Sequence, residues 1–327
     1  MCTIGNGRDY KHLTKGDIPV FGTGGYMTSV NDYLYDGETT FIGRKGTINK
    51  PFYYKGKFWT VDTLFYTHLF NGVTPRFVYC IFQTINWLRY NEASGVPSLS
   101  KDAIEKIKVH IPHIEEQQKI SKLLFALDER IAVQRALIGE MGRLMGGIRE
   151  WLFAHTDGKC VRLADVCKIV KGQQVNKQEL NESGPYYVMN GGTTPSGYYS
   201  KSNTGTGVIS ISEGGNSCGY VQWNENPFWS GGHCYTIVDI SKDAVPHFLY
   251  QYLKHKESDI MKLRIGSGLP NIQKKTLECF TVKLPSFTEQ TKISTALKAV
   301  DLRAKNAEEL LRLLLKQKSF FLQKLFI

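Results

Sequence analysis

The sequence predicts an α+β chain in which two mixed α/β lobes alternate with two long helices. Three observations predict it. First, apolar residues recur at Ile120, Leu124, Leu127, Ile131, Ile138, Met141, Met145, Ile148 and Leu152. The steps alternate four and three, Gln134 alone breaks the row, and no proline interrupts it. That is the seam of a heptad helix running from Glu115 to about Phe153. Second, the seam returns 173 residues later at Ile293, Leu297, Val300, Ala304, Ala307, Leu311, Leu314, Lys318, Phe321 and Leu325. Third, each helix follows a longer stretch of short apolar runs and glycine turns. The chain is therefore a tandem internal repeat.

The repeat extends beyond the heptads. Gly95-Val-Pro97-Ser-Leu99 matches Gly268-Leu-Pro270-Asn-Ile272, and Ile107, Val109, Ile111 and Pro112 match Phe280, Val282, Leu284 and Pro285. Glu116-Gln117 matches Glu289-Gln290, Asp128 matches Asp301, and Leu152-Phe153 matches Leu325-Phe326, all at one offset. Upstream the match is looser: Phe58-Trp59 pairs with Phe228-Trp229, and Gly24-Gly25 with Gly191-Gly192. A shared frame with divergent loops suggests one scaffold presenting two different surfaces. The first copy has nothing that corresponds to Val161–Lys168, so its lobe begins about one strand late.

In the first lobe, Asp17–Phe21 and Thr39–Ile42 read as strands. Phe52–Tyr54 and Phe58–Val61 read as a hairpin around Lys55-Gly56-Lys57. Pro75–Tyr90 has helical spacing, Ser100 is a candidate N-cap, and Ile107–Pro112 reads as a closing strand. The second lobe repeats this order, with a helix over Pro246–Lys262 and a last strand at Phe280–Leu284. The domain division is 1–112, a helix over 113–155, 156–286, and a helix over 287–327.

With 327 residues and 42% hydrophobic content, both lobes can bury a core. No run of about 18 apolar residues exists to span a membrane, and the amino terminus lacks the basic-then-apolar pattern of a signal peptide. Seven cysteines without CxxC spacing read as free thiols in a reducing cytoplasm. The net charge of +11 allows a polyanionic partner without requiring one.

Several residues quoted above carry a resemblance. Ile18-Pro-Val-Phe-Gly22 with Gly24-Gly25, Ile42-Gly-Arg-Lys-Gly46, Phe58-Trp59, the twice-occurring Pro-x-x-x-Glu-Gln-x-Lys-Ile at Pro112–Ile120 and Pro285–Ile293, and the ending Leu322–Phe326 together resemble the specificity (S) subunit of a type I restriction-modification system. The resemblance covers the whole chain; the departure is the missing opening strand of the first lobe. It implies that the lobes are target recognition domains and that the two helices are antiparallel coiled-coil spacers, related by a pseudo-twofold axis. The spacers would dock two methyltransferase (M) subunits, with restriction (R) subunits joining for cleavage. The implied function is recognition of an asymmetric, bipartite double-stranded DNA target, with S-adenosylmethionine bound by the M subunit and no cofactor on this chain.

The candidate DNA contacts are basic and amide residues read as loops. They are Arg8, Lys11, Arg44, Lys45, Lys50, Lys55 and Lys57 in the first lobe, and Lys171, Gln173, Gln174, Lys177, Asn190, Lys201 and Arg264 in the second. Lysine and arginine suit phosphates; arginine, asparagine and glutamine also pair bidentately with base edges. Any one of them equally serves as a solvated surface charge. Trp59 and Trp229 read as core, the paired glycines as turns. The apolar tail of Phe320, Phe321, Leu322, Leu325, Phe326 and Ile327 reads as packed on the other repeat or on a partner.

Catalytic signals are missing. The sequence has no GxGxxG, no GxxxxGK[ST] and no HExxH. Asn226-Pro-Phe-Trp229 lacks the second proline of an NPPY-type methyltransferase motif. His110 and His113 straddle a proline, His233-Cys234 are strand neighbours that point apart, and no nuclease pattern surrounds Asp62 or Glu213. The chain reads as non-catalytic, with no metal. Two alternatives stay open: a truncated or recombination-donor copy of such a subunit, and a coiled-coil scaffold whose lobes bind protein or glycan.

Overall fold

In the computed structural model, residues 1–266 and 268–326 are described. The first lobe contains β1 (Thr3–Asn6), β2 (Lys15–Gly22), β3 (Gly25–Val30), β4 (Tyr35–Gly43), β5 (Phe52–Thr60) and β6 (Leu64–His68), then α1 (Pro75–Thr84) and α2 (Lys101–Glu105). The long helix α3 (Ile114–Ala154) follows. The second lobe contains β7 (Lys159–Arg162), β8 (Lys168–Lys171), β9 (Tyr186–Met189), β10 (Tyr198–Tyr199), β11 (Val208–Ser212), β12 (Val221–Asn224), β13 (Trp229–Ser230) and β14 (Cys234–Val238). After these come α4 (Pro246–His255), α5 (Glu257–Met261), α6 (Lys274–Glu278), β15 (Thr281–Leu284) and the second long helix α7 (Phe287–Lys324).

Contacts divide the chain into two compact units. One is Met1–Ala136 together with the stretch from Glu309 onward, and the other is Leu137–Glu308. Each unit holds one lobe, part of α3 and part of α7.

In the first unit the strands form one six-stranded sheet in the order β1-β6-β4-β5-β2-β3. The helix α1 covers it, with Phe77, Val78 and Ile81 buried against Ile42 and Phe65. Thr74 caps α1 by accepting the Phe77 N–H, and Pro75 opens the first turn, where its missing N–H is harmless. Ser100 caps α2 by accepting the Ala103 N–H, as expected. The expected hairpin at Lys55–Lys57 is absent, because β5 runs unbroken through it. Gly56, at φ +129°, supplies a bend within the strand and lies opposite Gly37 of β4. The helix expected over Pro75–Tyr90 breaks at Ile85-Asn86 and resumes as a 3-10 turn at Trp87–Tyr90. The buried Trp87 turns its indole N–H back to the Phe82 carbonyl there, at 2.8 Å.

In the second unit the same frame is split among smaller sheets: β12-β11-β14-β8, β10-β9-β13 and β15-β7. Here the parallel pair Trp229↔Val188 repeats the pair Trp59↔Val20 of the first lobe. The helix expected over Pro246–Lys262 is broken at Lys256 into α4 and α5. The two lobes differ most at their ends. Strand β7 pairs antiparallel with β15 in the second lobe, whereas Ile107–Pro112, expected to be a strand, adopts no regular structure. A strand forms only where a neighbour takes its hydrogen bonds, and no strand among the described residues pairs with this segment.

The helix seams follow the heptad row. Ile120, Leu124, Leu127, Ile131, Ile293, Leu297 and Leu314 are buried, and Ile138, Met141, Val300 and Leu311 are half-buried. Ile148, placed in the row by its spacing, is exposed, and Arg149 turns inward beside it. Within the first unit the helices run antiparallel: Leu127 and Ile131 meet Leu311 and Leu314, while Ile120 and Leu124 share a core with Phe321, Leu322, Leu325 and Phe326. The tail is therefore packed, with Phe326 stacked 5.4 Å from Phe77. Phe320 is exposed, and Ile327 lies outside the described residues.

Each seam also carries one aspartate that meets a cation on the other helix. Asp128 contacts Lys318, which explains the lysine in an apolar row. Its repeat mate Asp301 lies 3.3 Å from Arg149 and accepts from the Gln251 amide. Burial raises the Asp301 carboxyl, against the pull of Arg149 and Gln251. Such half-buried pairs add little net stability but penalise a shifted register, which would strand one charge.

Candidate nucleic-acid interface

The loop leaving β8 forms the edge of the second lobe's candidate interface. The Gly172 N–H donates to the Cys234 carbonyl and the Gln173 N–H to the Ser230 carbonyl, both at 2.8 Å. A Cβ at Gly172 would meet the Gly231 carbonyl oxygen at 2.2 Å, so only glycine admits this approach. The Trp229 indole then donates to the Gln173 carbonyl at 2.9 Å and pins the loop from its other side. Asn190 accepts the His233 N–H at 3.0 Å, which ties the 190–192 turn to the 231–233 turn. Gly191, at φ +82°, makes that turn.

Beneath these loops the Glu213 carboxylate organises the polar groups. One of its oxygens accepts from Lys171 Nζ at 2.6 Å and from the Tyr235 hydroxyl at 3.1 Å. His233 Nδ1 lies 3.8 Å from the other oxygen. Burial, and then the Glu213 charge, push the Tyr235 hydroxyl up, so it remains a donor. A groove of about 590 Å³ opens beside this cluster, lined by Asn190, Gly191, Thr194, Gly214, His233 and Asn271.

The first lobe repeats the frame with other side chains. The Gly7 N–H donates to the Leu64 carbonyl, the Arg8 N–H to the Thr60 carbonyl at 2.8 Å, and the Trp59 indole to the Arg8 carbonyl at 2.9 Å. The Arg44 N–H donates to the Thr63 carbonyl, as the Glu213 N–H does to that of His233. Arg8 thus stands where Gln173 stands, and Arg44 where Glu213 stands. One position in one frame carries a cation in the first lobe and an anion in the second.

The sequence-predicted contacts divide accordingly. Arg8, Arg44 and Lys45 are gathered around the 60–63 turn; Lys45 also bridges to Ser98, and Arg44 Nη1 donates to the Asp62 carbonyl at 3.3 Å. Lys11 and Lys50 are exposed on neighbouring loops. Lys55 and Lys57 are not loop residues: both lie on β5, where Lys55 is 3.8 Å from Glu38 and Lys57 sits over the Tyr33 ring. In the second lobe Lys171, Gln173 and Asn190 come together, with Gln174 next to Gln173. Lys177 lies in a 3-10 turn, Lys201 is exposed after β10, and Arg264 is exposed after α5.

Sequence reasoning missed two groups here. In the sequence Glu213 and His233 stand out only as residues that lack a catalytic pattern. The sequence places Trp59 and Trp229 in the core; Trp59 is buried but Trp229 is only half-buried, and each spends its indole N–H on the first candidate loop. The recurring Phe-Trp pair was the available signal.

The Glu-Gln of the repeated motif joins each lobe to its helix. Gln117 accepts the Thr74 N–H at 2.9 Å and donates to the Gly72 and Pro112 carbonyls, both at 3.0 Å. Gln290 accepts the Val245 N–H at 2.8 Å and donates to the Asp243 and Pro285 carbonyls at 2.9 and 3.0 Å. Each amide is 1% exposed and satisfies one orphan donor at the start of the lobe's helix. Lobe and spacer are locked at the same point in both copies.

Comparison with known proteins agrees with this architecture. The family described as "Type I restriction modification DNA specificity domain" matches residues 1–141 and 156–314. A protein of Mycoplasma pneumoniae named "Putative type I specificity subunit S.MpnORF638P" is 31% identical over 166 residues, half of this chain. The match spans 44% of that relative, so the chain covers less than half of its length. The crystal structure of the type I restriction-modification S subunit from M. genitalium superposes with a TM-score of 0.79, covering 100% of this chain and 94% of that one, at 18% identity. A chain from a structure on complex assembly and conformational transition of the type I R-M system gives 0.54, covering 99% and 95%, at 16% identity. Those two likenesses concern the fold, whereas the family match covers most of the sequence in two blocks, one on each lobe-and-helix repeat. The chain belongs to the type I restriction-modification DNA specificity family.

Proposed function

We propose that this chain reads double-stranded DNA at two separated and different half-sites and directs partner subunits to that target. In this reading residues 1–112 and 156–286 are the recognition domains. Residues 113–155 and 287–327 are the spacers, on which two methyltransferase subunits dock and which restriction subunits join. The observation that carries it is the repeated frame with exchanged side chains: Arg8 for Gln173 and Arg44 for Glu213, on loops each pinned by a tryptophan. Equal scaffolds place two readers alike, while unlike side chains select unlike bases. A 41-residue helix is about 60 Å long, which leaves unread base pairs between the half-sites. The net charge of +11 supplies the phosphate-binding share of the affinity. The chain positions and selects; the methyltransferase partner, with S-adenosylmethionine, flips the base and transfers the methyl group.

The test is a methylation map. The chain is co-expressed with a methyltransferase subunit in a methylation-free host, and methyl-adenine is located by sequencing. The expected result is a split, asymmetric motif with a fixed gap; a stable complex that methylates nothing would refute it. A second reading, in which only the second lobe reads DNA, has the unpaired Ile107–Pro112 segment in its favour. It predicts a single half-site in the same map.

A further inference from the structure

Each lobe builds the same aromatic seat against its long helix, and one of the two seats is open. In the first lobe Tyr53 lies opposite Thr40 in the β4–β5 ladder, α1 contributes Arg76 and Tyr79, and α3 contributes Phe125. The Phe125 ring fills the middle of this group. Its centroid is 5.0 Å from that of Tyr53 and 5.6 Å from that of Tyr79, and the Arg76 guanidinium lies 4.9 Å over it.

In the second lobe Trp223 lies opposite Ile209, the mate of Thr40, and so takes the place of Tyr53. The helix α4, which opens with proline as α1 does, sets His247 and Tyr250 where α1 sets Arg76 and Tyr79. The Trp223 ring centroid is 5.2 Å from that of His247 and 5.7 Å from that of Tyr250. The mate of Phe125, 173 residues on, is Lys298. Where the first lobe has that central ring, the second has a cavity of about 530 Å³, lined in part by Tyr187, Trp223, Asn226, His247, Tyr250 and Lys298.

The exchange of Phe125 for Lys298 decides what this cavity suits. It removes a flat ring and adds a cation. Two carboxylates also line the cavity, but both are already engaged: Glu225 by Lys305, and Asp301 by Arg149 and Gln251. Lys298 is exposed and has no ion-pair partner among the described residues. An occupant that restores the packing of the first lobe therefore brings a flat ring to Trp223 and Tyr250 and an anionic group to Lys298. The volume far exceeds one phenyl ring and falls within the roughly 300–1,000 Å³ of small-molecule sites. Asn226 adds an exposed amide, which can both donate to and accept from the edge of a heterocycle.

We propose that this cavity is a binding site for a nucleoside monophosphate. The base stacks on Trp223 and Tyr250, Asn226 meets its edge, and the phosphate pairs with Lys298. None of the lining residues is among the candidate DNA contacts, so the site goes beyond the DNA-reading function and does not depend on it.

The test is isothermal titration calorimetry of the full chain with adenosine 5′-monophosphate and with adenosine. The nucleotide should bind at one site with a Kd no weaker than about 1 mM, and adenosine at least about tenfold more weakly, for want of the charged contact. Lys298→Phe gives the second lobe the ring that the first lobe has. It should abolish binding of both compounds while the chain melts no lower than the wild type. Lys298→Gln, which keeps the cavity and removes the charge, should leave adenosine binding unchanged and reduce the nucleotide to the affinity of adenosine. Three results would overturn the proposal: no saturable binding of the nucleotide, binding that survives in Lys298→Phe, or nucleotide affinity unchanged in Lys298→Gln.

Discussion

Replacing Gln290 with leucine tests how lobe and spacer are joined. The amide is 1% exposed and makes three hydrogen bonds, to the Val245 N–H and to the Asp243 and Pro285 carbonyls. Leucine has nearly the same volume, so packing changes little, but one donor and two acceptors lose their partner. Each buried unsatisfied group costs about 1–3 kcal/mol, and partial relaxation brings the expected sum to about 4 kcal/mol. A unit of this size loses about 2–4 °C of Tm per kcal/mol, so its transition should fall by about 10 °C. Differential scanning calorimetry on the full chain reads this directly. Gln117→Leu should act equally on the other unit, through Thr74, Gly72 and Pro112, and the double variant should show both shifts, since distant sites add. A shift below about 2 °C for both variants would refute the claim that these amides lock lobe to helix.

Three further outcomes are expected. Arg44→Ala should weaken binding by about 1–3 kcal/mol and relax the target only in the first lobe's half-site, read as degeneracy in the methylation map. Trp229→Phe, which removes the indole N–H that holds Gln173, should cost about 1 kcal/mol of stability yet blur the second half-site while leaving the first intact. Burial first, then Lys298 and Arg149, lower the His247 imidazole to about 4. Its depressed value means that the unfolded chain takes the proton first, so the neutral form's stability is complete above about pH 6.5 and lost as pH falls toward 4. The loss is about 2 kcal/mol after allowance for water in the adjoining cavity, and His247→Asn should flatten that part of the stability–pH curve measured by urea unfolding.

The sequence by itself determined the elements whose physics is local or periodic. The heptad row located both long helices, because apolar residues spaced 3.5 apart line up on one face only when the chain is helical, and α3 and α7 lie where it put them. The constant spacing between copies announced two lobes on one frame. The Ser100 cap was equally legible, since it depends on three neighbouring residues.

What depended on groups far apart in the chain was decided only in three dimensions. Lys55-Gly56-Lys57 has the composition of a turn, but the pairing of β5 with β4 keeps the strand continuous, so two lysines assigned to a loop stand on a sheet. Ile107–Pro112 has the pattern of a strand and is none, because a pattern supplies side chains while a strand also needs a neighbour's hydrogen bonds. Lys318 occupies an apolar seam because Asp128 on the other helix meets it there. The tryptophans that hold the candidate loops, and the exchange of Arg44 for Glu213 at one position, depend on backbone contacts that divergent loop lengths conceal in the sequence.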